Sequence, residues 1–323
     1  MKQASWAAYV SVMTQTTPVR VRDLRHDDPE DAAAAAETRR AALPFMLVTP
    51  ELLAWEAEHS PAEAHYRLLV AELDGAVVGT ARTGLFFDSP EPGKAYCNLY
   101  VHPDATGRGA GSALLAAAEG HLAGLGARSV YTWALDDGHS VAWAGRRGYE
   151  PRRKARFLRL DLAVLPPETA PPAGIELRTV ADFAADPRPL YELDAAVSLD
   201  EPGEVEREPI PYEDWLAAHW ERPGLDRDLS VVAVDGGTPV AFSLARTDGR
   251  GRYMSAMTGA LRDWRGRGLA RLVKNRSLHL AREAGCVEAF TGNDAGNGPM
   301  LAVNRWFGYG PAADEWHCVR ELG

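Results

Sequence analysis

The chain has 323 residues, of which 46% are hydrophobic and 25% are charged, as in an ordinary soluble globular protein. Its formal net charge of −10 argues against a nucleic-acid-binding surface, which would need clustered lysine and arginine. No stretch approaches the roughly 18 to 20 apolar residues that span a bilayer, so we expect no membrane partner. The length exceeds what one hydrophobic core usually supports and predicts two domains.

The three cysteines, Cys97, Cys286 and Cys318, are odd in number and show no metal-ligand spacing. This pattern predicts reduced thiols, a cytoplasmic location and no metal site. Residues 1–18 are mildly apolar and interrupted by polar residues, which predicts an N-terminal extension rather than a signal peptide.

The first half alternates strands and helices. Asp74-Gly75 between two apolar runs indicates a hairpin, and Thr49 before Pro50 indicates a helix start. The hydrophobic pattern predicts strands over 19–24, 66–73, 76–85, 95–101 and 129–133, helices over 30–43, 50–59, 112–118 and 140–147, and two closing strands near 149 and over 155–162.

The second half repeats this order after a Pro-rich linker over 163–174, which we expect to be semi-rigid. The pattern predicts strands over 175–180, 230–234, 240–246, 253–260, 287–291 and 315–320, and helices over 183–197, 212–220, 268–284 and 298–306. Strand hairpins followed by a βαβ crossover predict an α/β fold with a mixed, mostly antiparallel sheet flanked by helices in each copy. We therefore expect two tandem domains, 19–162 and 175–323.

Several landmarks recur at one spacing and support a duplication. A glycine motif at Thr106–Gly111 returns at Arg265–Ala270, 159 positions later. Asp74-Gly75 returns as Asp235-Gly236 and Gly148-Tyr149 as Gly308-Tyr309, 161 and 160 positions later. The matching first strands over 19–22 and 175–178 are 156 positions apart. Four features in one order at nearly one spacing indicate a repeated domain.

Each glycine motif joins a strand directly to a helix. The first N–H groups of a helix have no internal partners, glycines let an anion approach the backbone, and the helix dipole favours negative charge there. Arg108, Arg265 and Arg267 add cations. A Walker loop is excluded because Gly-Lys-Ser/Thr is absent, and the dinucleotide fingerprint because four strands come first. The alternative is that the glycines serve only tight strand-to-helix packing.

These residues resemble the GCN5-related N-acetyltransferases, whose signature is R/Q-x-x-G-x-G/A after the fourth strand. Arg265–Ala270 matches completely, whereas Thr106 replaces the leading Arg or Gln of the first motif. The resemblance covers nearly the whole chain and extends to a two-copy member of the family whose second copy is catalytic. It implies that acetyl-CoA is the co-substrate, with its pyrophosphate held by Arg108, Gly109, Ala110, Gly111 and Ser112, or by Arg265, Gly266, Arg267, Gly268, Leu269, Ala270 and Arg271.

The resemblance further implies acetyl transfer to a primary amine of a small molecule by direct attack in a ternary complex. Many relatives protonate the leaving thiolate with a Tyr four residues before the closing glycine, but Ala144 and Asn304 stand there. Asn residues of the second copy resemble those that contact coenzyme A, although capping is an equal alternative. The predicted additional cofactor contacts are Thr258, Asn293, Asn297 and Asn304, and the candidate catalytic groups are Tyr253, Ser255, Asp294 and His317.

Three questions stay open at this point. The missing tyrosines leave a non-catalytic acyl-CoA sensor or scaffold as the alternative to an enzyme. The acidic loop over 200–208 either attracts a cationic amine or is solvated surface. The chain is predicted to be a monomer or a homodimer, with the first copy degenerate or structural.

Overall fold

The computed structural model describes residues 18–322 except 201–204, 206 and 207. The predicted N-terminal extension lies outside this part apart from its last residue, as does most of the acidic loop. The strands are β1 (Arg20–Asp23), β2 (Arg67–Leu73), β3 (Ala76–Leu85), β4 (Lys94–Val101), β5 (Ser129–Leu135), β6 (Glu150–Asp161), β7 (Ile175–Thr179), β8 (Leu225–Asp235), β9 (Thr238–Thr247), β10 (Arg252–Ala260), β11 (Glu288–Asp294) and β12 (Gly310–Glu321).

The helices follow the order expected of a repeated fold. They are α1 (Pro29–Ala42), α2 (Pro50–His59), α3 (Ala110–Gly124), α4 (Ser140–Gly145), α5 (Arg188–Ser198), α6 (Tyr212–Trp215), α7 (Leu269–Glu283) and α8 (Gly298–Phe307). A π-helical stretch, Leu216–Trp220, continues α6. The mixed α/β architecture expected from the sequence is confirmed.

Some predicted boundaries were wrong for local reasons. The second hairpin turns at Gly236-Gly237, both at positive φ (53° and 91°), one residue later than the Asp-Gly pair. The two closing strands predicted for the first copy are one strand, β6. The predicted helix over 183–197 begins only at Arg188, because a 3₁₀ turn (Val180–Phe183) precedes Pro187.

The two halves share one twelve-stranded sheet of order β1-β2-β3-β4-β5-β12-β6-β11-β10-β9-β8-β7. The last strand of each half pairs within the other half: β6 lies between β12 and β11, and β12 lies between β5 and β6. The domain limits drawn from the repeat stay a prediction, since chain order puts β12 in the second half while hydrogen bonds join it to the first. Because β5 and β11 would otherwise be open edges, the exchange pairs both of them.

Helices cover both faces of the sheet. Leu69 and Ala71 of β2 pack with the core under α3, whereas Leu68 and Val70 pack with α1 and α2. The alternation is that of a strand buried on both faces. In the second half, α7 takes the place of α3 and α5 takes the place of α1.

The connection between α1 and α2 reaches across to the second half. Leu43, Phe45 and Leu47 form an apolar cluster with Met254 of β10 and Phe290 of β11. A segment of the first copy therefore covers the parallel strand pair of the second copy on the face away from α7.

We expect the crossed strands to hold the halves together without a continuous chain. A protease site inserted in the exposed linker between Ala170 and Pro171 and then cut should leave one species on gel filtration, because β6 and β12 remain paired in the middle of the sheet. The same cut sample in urea should separate into two fragments. Separation in buffer alone would contradict the strand exchange.

Candidate active site

The two glycine loops have nearly the same backbone. Gly109 and Gly268 are the N-caps of α3 and α7, with φ of 94° and 79°, and neither helix has a side-chain cap. The N–H groups of the first turn are therefore without a capping side chain, and the positive φ disfavours any residue with a Cβ. Both helix starts are suited to an anion.

The charges around the two loops differ. Arg108 pairs with Asp74 at 2.8 Å, and its loop carries no second arginine. In the second copy, Arg265 and Arg262 both bind Asp200, which lowers the pKa of that carboxyl. The second loop thus has more arginines near it than the first. Asp200 is the first residue of the predicted acidic loop and is part of the described structure.

Two further arginines flank the second loop. Arg267 lies over the Trp264 ring at 4.5 Å, and Arg271 lies over the Trp306 ring at 4.8 Å. The side chain of Trp306 is 43% exposed, so that this aromatic surface lies open beside the helix start.

In each copy, the two parallel strands separate before the first of them reaches the glycine loop. Pairing between β10 and β11 ends at Ser255↔Thr291, and pairing between β4 and β5 ends at Tyr96↔Tyr131. β10 also has a bulge at Ala256, which pairs with neither neighbouring strand, while β4 keeps a regular register. A bulge frees backbone groups and bends the strand, so only the second copy has this irregularity beside its strand opening.

A buried polar chain lies next to this opening in the second copy. The Nζ of Lys274 on α7 donates to Oδ1 of Asn304 on α8 at 2.6 Å, and Nδ2 of Asn304 donates to Oδ1 of Asn293 at 2.6 Å. Lys274 and Asn304 are fully buried. Burial lowers the pKa of Lys274 to about 7.

The first copy is apolar at the same three positions. Leu115, Ala144 and Ala134 stand where the second copy has Lys274, Asn304 and Asn293, and all three are buried in the core under α3. Trp143 stands where the second copy has Val303. A Cβ built at Gly111, inside the first glycine motif, would come within 3.5 Å of its ring. The region beside the first strand opening is therefore filled with apolar side chains.

The predicted catalytic residues Tyr253 and Ser255 lie in the core beneath α7. The Tyr253 hydroxyl donates to Ser277 Oγ at 2.7 Å, since Ser277 uses its own proton on the carbonyl of Leu229. It is also 3.3 Å from Ser255 Oγ. Burial raises the pKa of Tyr253, so the structure gives it a packing role and not that of a base.

The other two predicted catalytic residues are not brought together with these. His317 lies on β12 opposite Trp133 of the first copy, with ring centroids 4.5 Å apart. Asp294 caps the turn after β11 through Gly296 N and pairs with Arg153 of β6 at 3.3 Å. Strand exchange carries His317 to the other half, so the four candidates do not lie together, and their catalytic roles stay a prediction.

The remaining predicted contacts divide into two groups. Asn297 caps α8 through the N–H of Met300, which confirms the capping alternative, and Thr258 pairs with Ser243 at 2.9 Å. Asn293 and Asn304 meet in the polar chain. The sequence patterns did not single out Lys274. The available signal was a lysine in α7 at the position where α3 has Leu115.

Comparisons with known proteins agree with the geometry. The acetyltransferase (GNAT) family model matches residues 33–149 and 190–309. A mycothiol acetyltransferase of Nocardioides sp. is 27% identical over 233 residues, which are 68% of this chain and 78% of that protein. One from Geodermatophilus obscurus is 36% identical over 166 residues, 49% of this chain and 51% of that protein.

Two solved structures share the fold over the whole chain. A GCN5-related N-acetyltransferase from Sphaerobacter thermophilus has a TM-score of 0.70 at 22% identity and covers 95% of this chain and 97% of that one. A tandem GNAT protein from the clavulanic acid biosynthesis pathway has a TM-score of 0.70 at 20% identity, covering 95% and 99%. Within the described residues, no helix is long and apolar enough to cross a membrane, and no group of three His, Cys, Asp or Glu is placed to hold a metal.

The buried lysine gives a prediction on stability. The double variant Lys274→Leu/Asn304→Ala carries the residues that the first half has at these positions. Its free energy of unfolding near pH 7 should exceed that of the wild type by roughly 1–4 kcal/mol, because the variant lacks a buried charge. With a folded pKa of about 7 against an ordinary 10.5, the unfolded wild type binds more protons between these values, so wild-type stability rises with pH there. The gap should shrink in urea titrations from pH 7 to pH 10. A gap that is independent of pH would contradict a buried ammonium.

Proposed function

The chain belongs to the GNAT family of acetyltransferases and is an N-acetyltransferase; on that premise we propose that its second copy transfers acetyl from acetyl-CoA to a primary amine of a small molecule. One observation carries the assignment: an uncapped, arginine-flanked helix start lies next to a strand opening that is polar in the second copy and apolar in the first. Family membership also decides against the sensor alternative.

In this proposal, coenzyme A lies along the second glycine loop. Its pyrophosphate takes the N–H groups of 267–271, with Arg265 and Arg267 as counter-charges. In the proposed complex, the pantetheine arm lies in the opening between β10 and β11, as the family resemblance implies. Trp143 fills the corresponding region of the first copy, which we propose to be structural.

The reaction is a direct attack in a ternary complex. The neutral amine nitrogen forms a bond to the thioester carbon, the C–S bond breaks, and the sulfur leaves as a thiolate while the amine proton passes to a base or to water. The unpaired strand segment at Ala256 offers a backbone donor for the developing oxyanion.

Asn304 occupies the position of the absent tyrosine and contributes to stabilising the leaving thiolate. An ammonium only donates, so protonated Lys274 fixes the amide with its oxygen toward Nζ and its NH₂ group toward Asn293. Asn304 in turn donates to Oδ1 of Asn293 and so leaves the NH₂ group of Asn293, a partly exposed residue, to stabilise the leaving thiolate. Lys274 and the fully buried Asn304 are then positioning residues, and the thiolate takes its proton from solvent.

Matched glycine variants test which copy works. Gly268→Glu should lower kcat/KM for acetyl-CoA roughly 100-fold, because it puts a carboxylate and backbone strain where the pyrophosphate binds. Gly109→Glu introduces the same strain at the equivalent helix start and should keep most of the activity in a thiol-release assay.

Thermal melts of both variants provide the control for folding, since the two glycines have similar φ. If Gly109→Glu abolishes turnover while Gly268→Glu does not, the assignment to the second copy is overturned.

Asn304→Ala tests the leaving-group role. We expect kcat at saturating acetyl-CoA to fall between about 10- and 1,000-fold, the range for loss of one donor to a developing anion, with little change in acetyl-CoA affinity by calorimetry. Lys274→Met should lower kcat in the same direction. An unchanged kcat in Asn304→Ala would remove Asn304 from the mechanism.

The curated relatives favour one alternative acceptor. Both are named mycothiol acetyltransferases, so the Cys-glucosaminyl-inositol acceptor belongs in the amine panel. Turnover with that acceptor well above all other amines would support a mycothiol-synthase-like role.

A further inference from the structure

A cluster of buried and half-buried arginines lies where the two halves meet. Arg39 of α1 and Arg82 of β3 come from the first half, and Arg222, after the π-helical stretch, and Arg246 of β9 come from the second. All four lie near one buried carboxylate, Glu56 of α2. We call this group the arginine cluster; the proposed acetyl transfer makes no use of it.

Glu56 holds three of the four guanidinium groups. Arg82 Nη1 lies 3.7 Å from its carboxylate and Arg39 Nη1 lies 4.0 Å from it, while Arg222 Nη2 donates to it directly. The Tyr66 hydroxyl adds a longer contact of 3.4 Å. Glu56 is 5% exposed, so these are buried charges.

One carboxylate does not satisfy the cluster. The Nε atoms of Arg39, Arg82 and Arg222 are buried and have no hydrogen-bond partner among the described residues. Arg39 is 5% exposed. Buried unpaired donors cost free energy, and buried like charges cost more, so the free protein keeps this arrangement at a penalty.

Arg246 has no counter-charge of its own. No ion pair or side-chain hydrogen bond of Arg246 occurs in the part of the chain that the structure describes. Burial and the neighbouring Arg222 lower the pKa of Arg246 to about 10. A bound anion would stabilise a guanidinium that is desolvated and also repelled by another cation.

A second carboxyl near this region, Glu315, does not balance the charge. Glu315 of β12 interacts electrostatically with Tyr100, whose ring lies 5.3 Å from the Arg39 guanidinium. Burial raises the pKa of Glu315 to about 7, so near neutral pH it is only partly ionised. Even fully ionised, Glu56 and Glu315 leave four cations against two anions.

The cluster lies on the face of the sheet away from α7. Arg246 pairs in register with Met254, and Met254 points away from α7 because its neighbour Tyr253 points toward α7. Arg82 keeps 32% of its side-chain surface accessible, and Arg222 keeps 20%, so a small molecule can reach these guanidinium groups.

We propose that the arginine cluster binds an acidic group, a carboxylate or phosphate, of the amine acceptor. This inference rests on the proposed acetyl transfer and specifies its substrate class: a small primary amine that also carries an anionic group. Guanidinium groups match the two oxygens of such anions in a fork geometry, and an anion would satisfy the idle Nε donors. A purely cationic amine would meet repulsion here.

Paired acceptors test the proposal in the full-length protein. 4-Aminobutyrate against 4-aminobutyramide replaces a carboxylate by a neutral amide of nearly the same size, and phosphoethanolamine against ethanolamine removes the phosphate altogether. In a thiol-release assay with acetyl-CoA, we expect kcat/KM for the acidic member to exceed that of its neutral partner at least 10-fold in at least one pair.

Arg246→Gln is the informative variant because its removal leaves no described partner unpaired. The acidic-to-neutral ratio of kcat/KM should fall toward 1, while the melting temperature stays at or above that of the wild type because a buried like charge is lost. Arg250→Gln, an exposed arginine in the turn after β9, is the matched control and should keep the wild-type ratio.

The outcomes separate the two levels of the proposal. Turnover of neutral or cationic amines in preference to acidic ones, or an Arg246→Gln ratio equal to that of the wild type, overturns the acidic acceptor and leaves the acetyl transfer standing. Binding of acetyl-CoA by calorimetry with no turnover of any amine, including the Cys-glucosaminyl-inositol acceptor, overturns both.

Discussion

The antiparallel pairing of β6 with β12 is the constraint on which the rest of this structure depends. These are the last strands of the two copies, and each also pairs with the fifth strand of the other copy. The exchange places equivalent sheet faces side by side instead of leaving two domains on a flexible linker. It is this placement that brings Phe45 over Met254 and gathers arginines from both halves around Glu56.

Duplication provided two equal backbones, and the side chains then diverged beneath them. Both copies keep a glycine at the N-cap of the helix, because the backbone conformation there excludes most other residues. The packing layer beneath differs sharply: α7 buries Lys274 where α3 buries Leu115. A buried amine is costly without a compensating gain. Under the proposed assignment, the apolar copy serves the packing of the shared sheet, and the polar copy accepts the cost of the buried amine for its chemistry.

Local elements were predictable from the sequence, and partners distant in the chain were not. Period-2 alternation, Thr49 before proline and the strand-glycine-helix motif located most strands and helices within two or three residues. Nothing local distinguishes a closing strand that pairs within its own copy from one that crosses, so the position of His317 beside the first copy could not be predicted. The arginine cluster is formed by residues 39, 56, 82, 222 and 246, which come together only when the sheet forms. Lys274 was visible in principle, by aligning the two copies residue by residue.

The crossed strands also bear on how such a chain evolves. A gene truncated to one copy would encode a sheet with an unpaired central edge, so neither half can be deleted, shuffled or inherited alone once its last strand belongs to the other. Under the proposed assignment of catalysis to the second copy, the first copy keeps its shape because the shared sheet requires its strands.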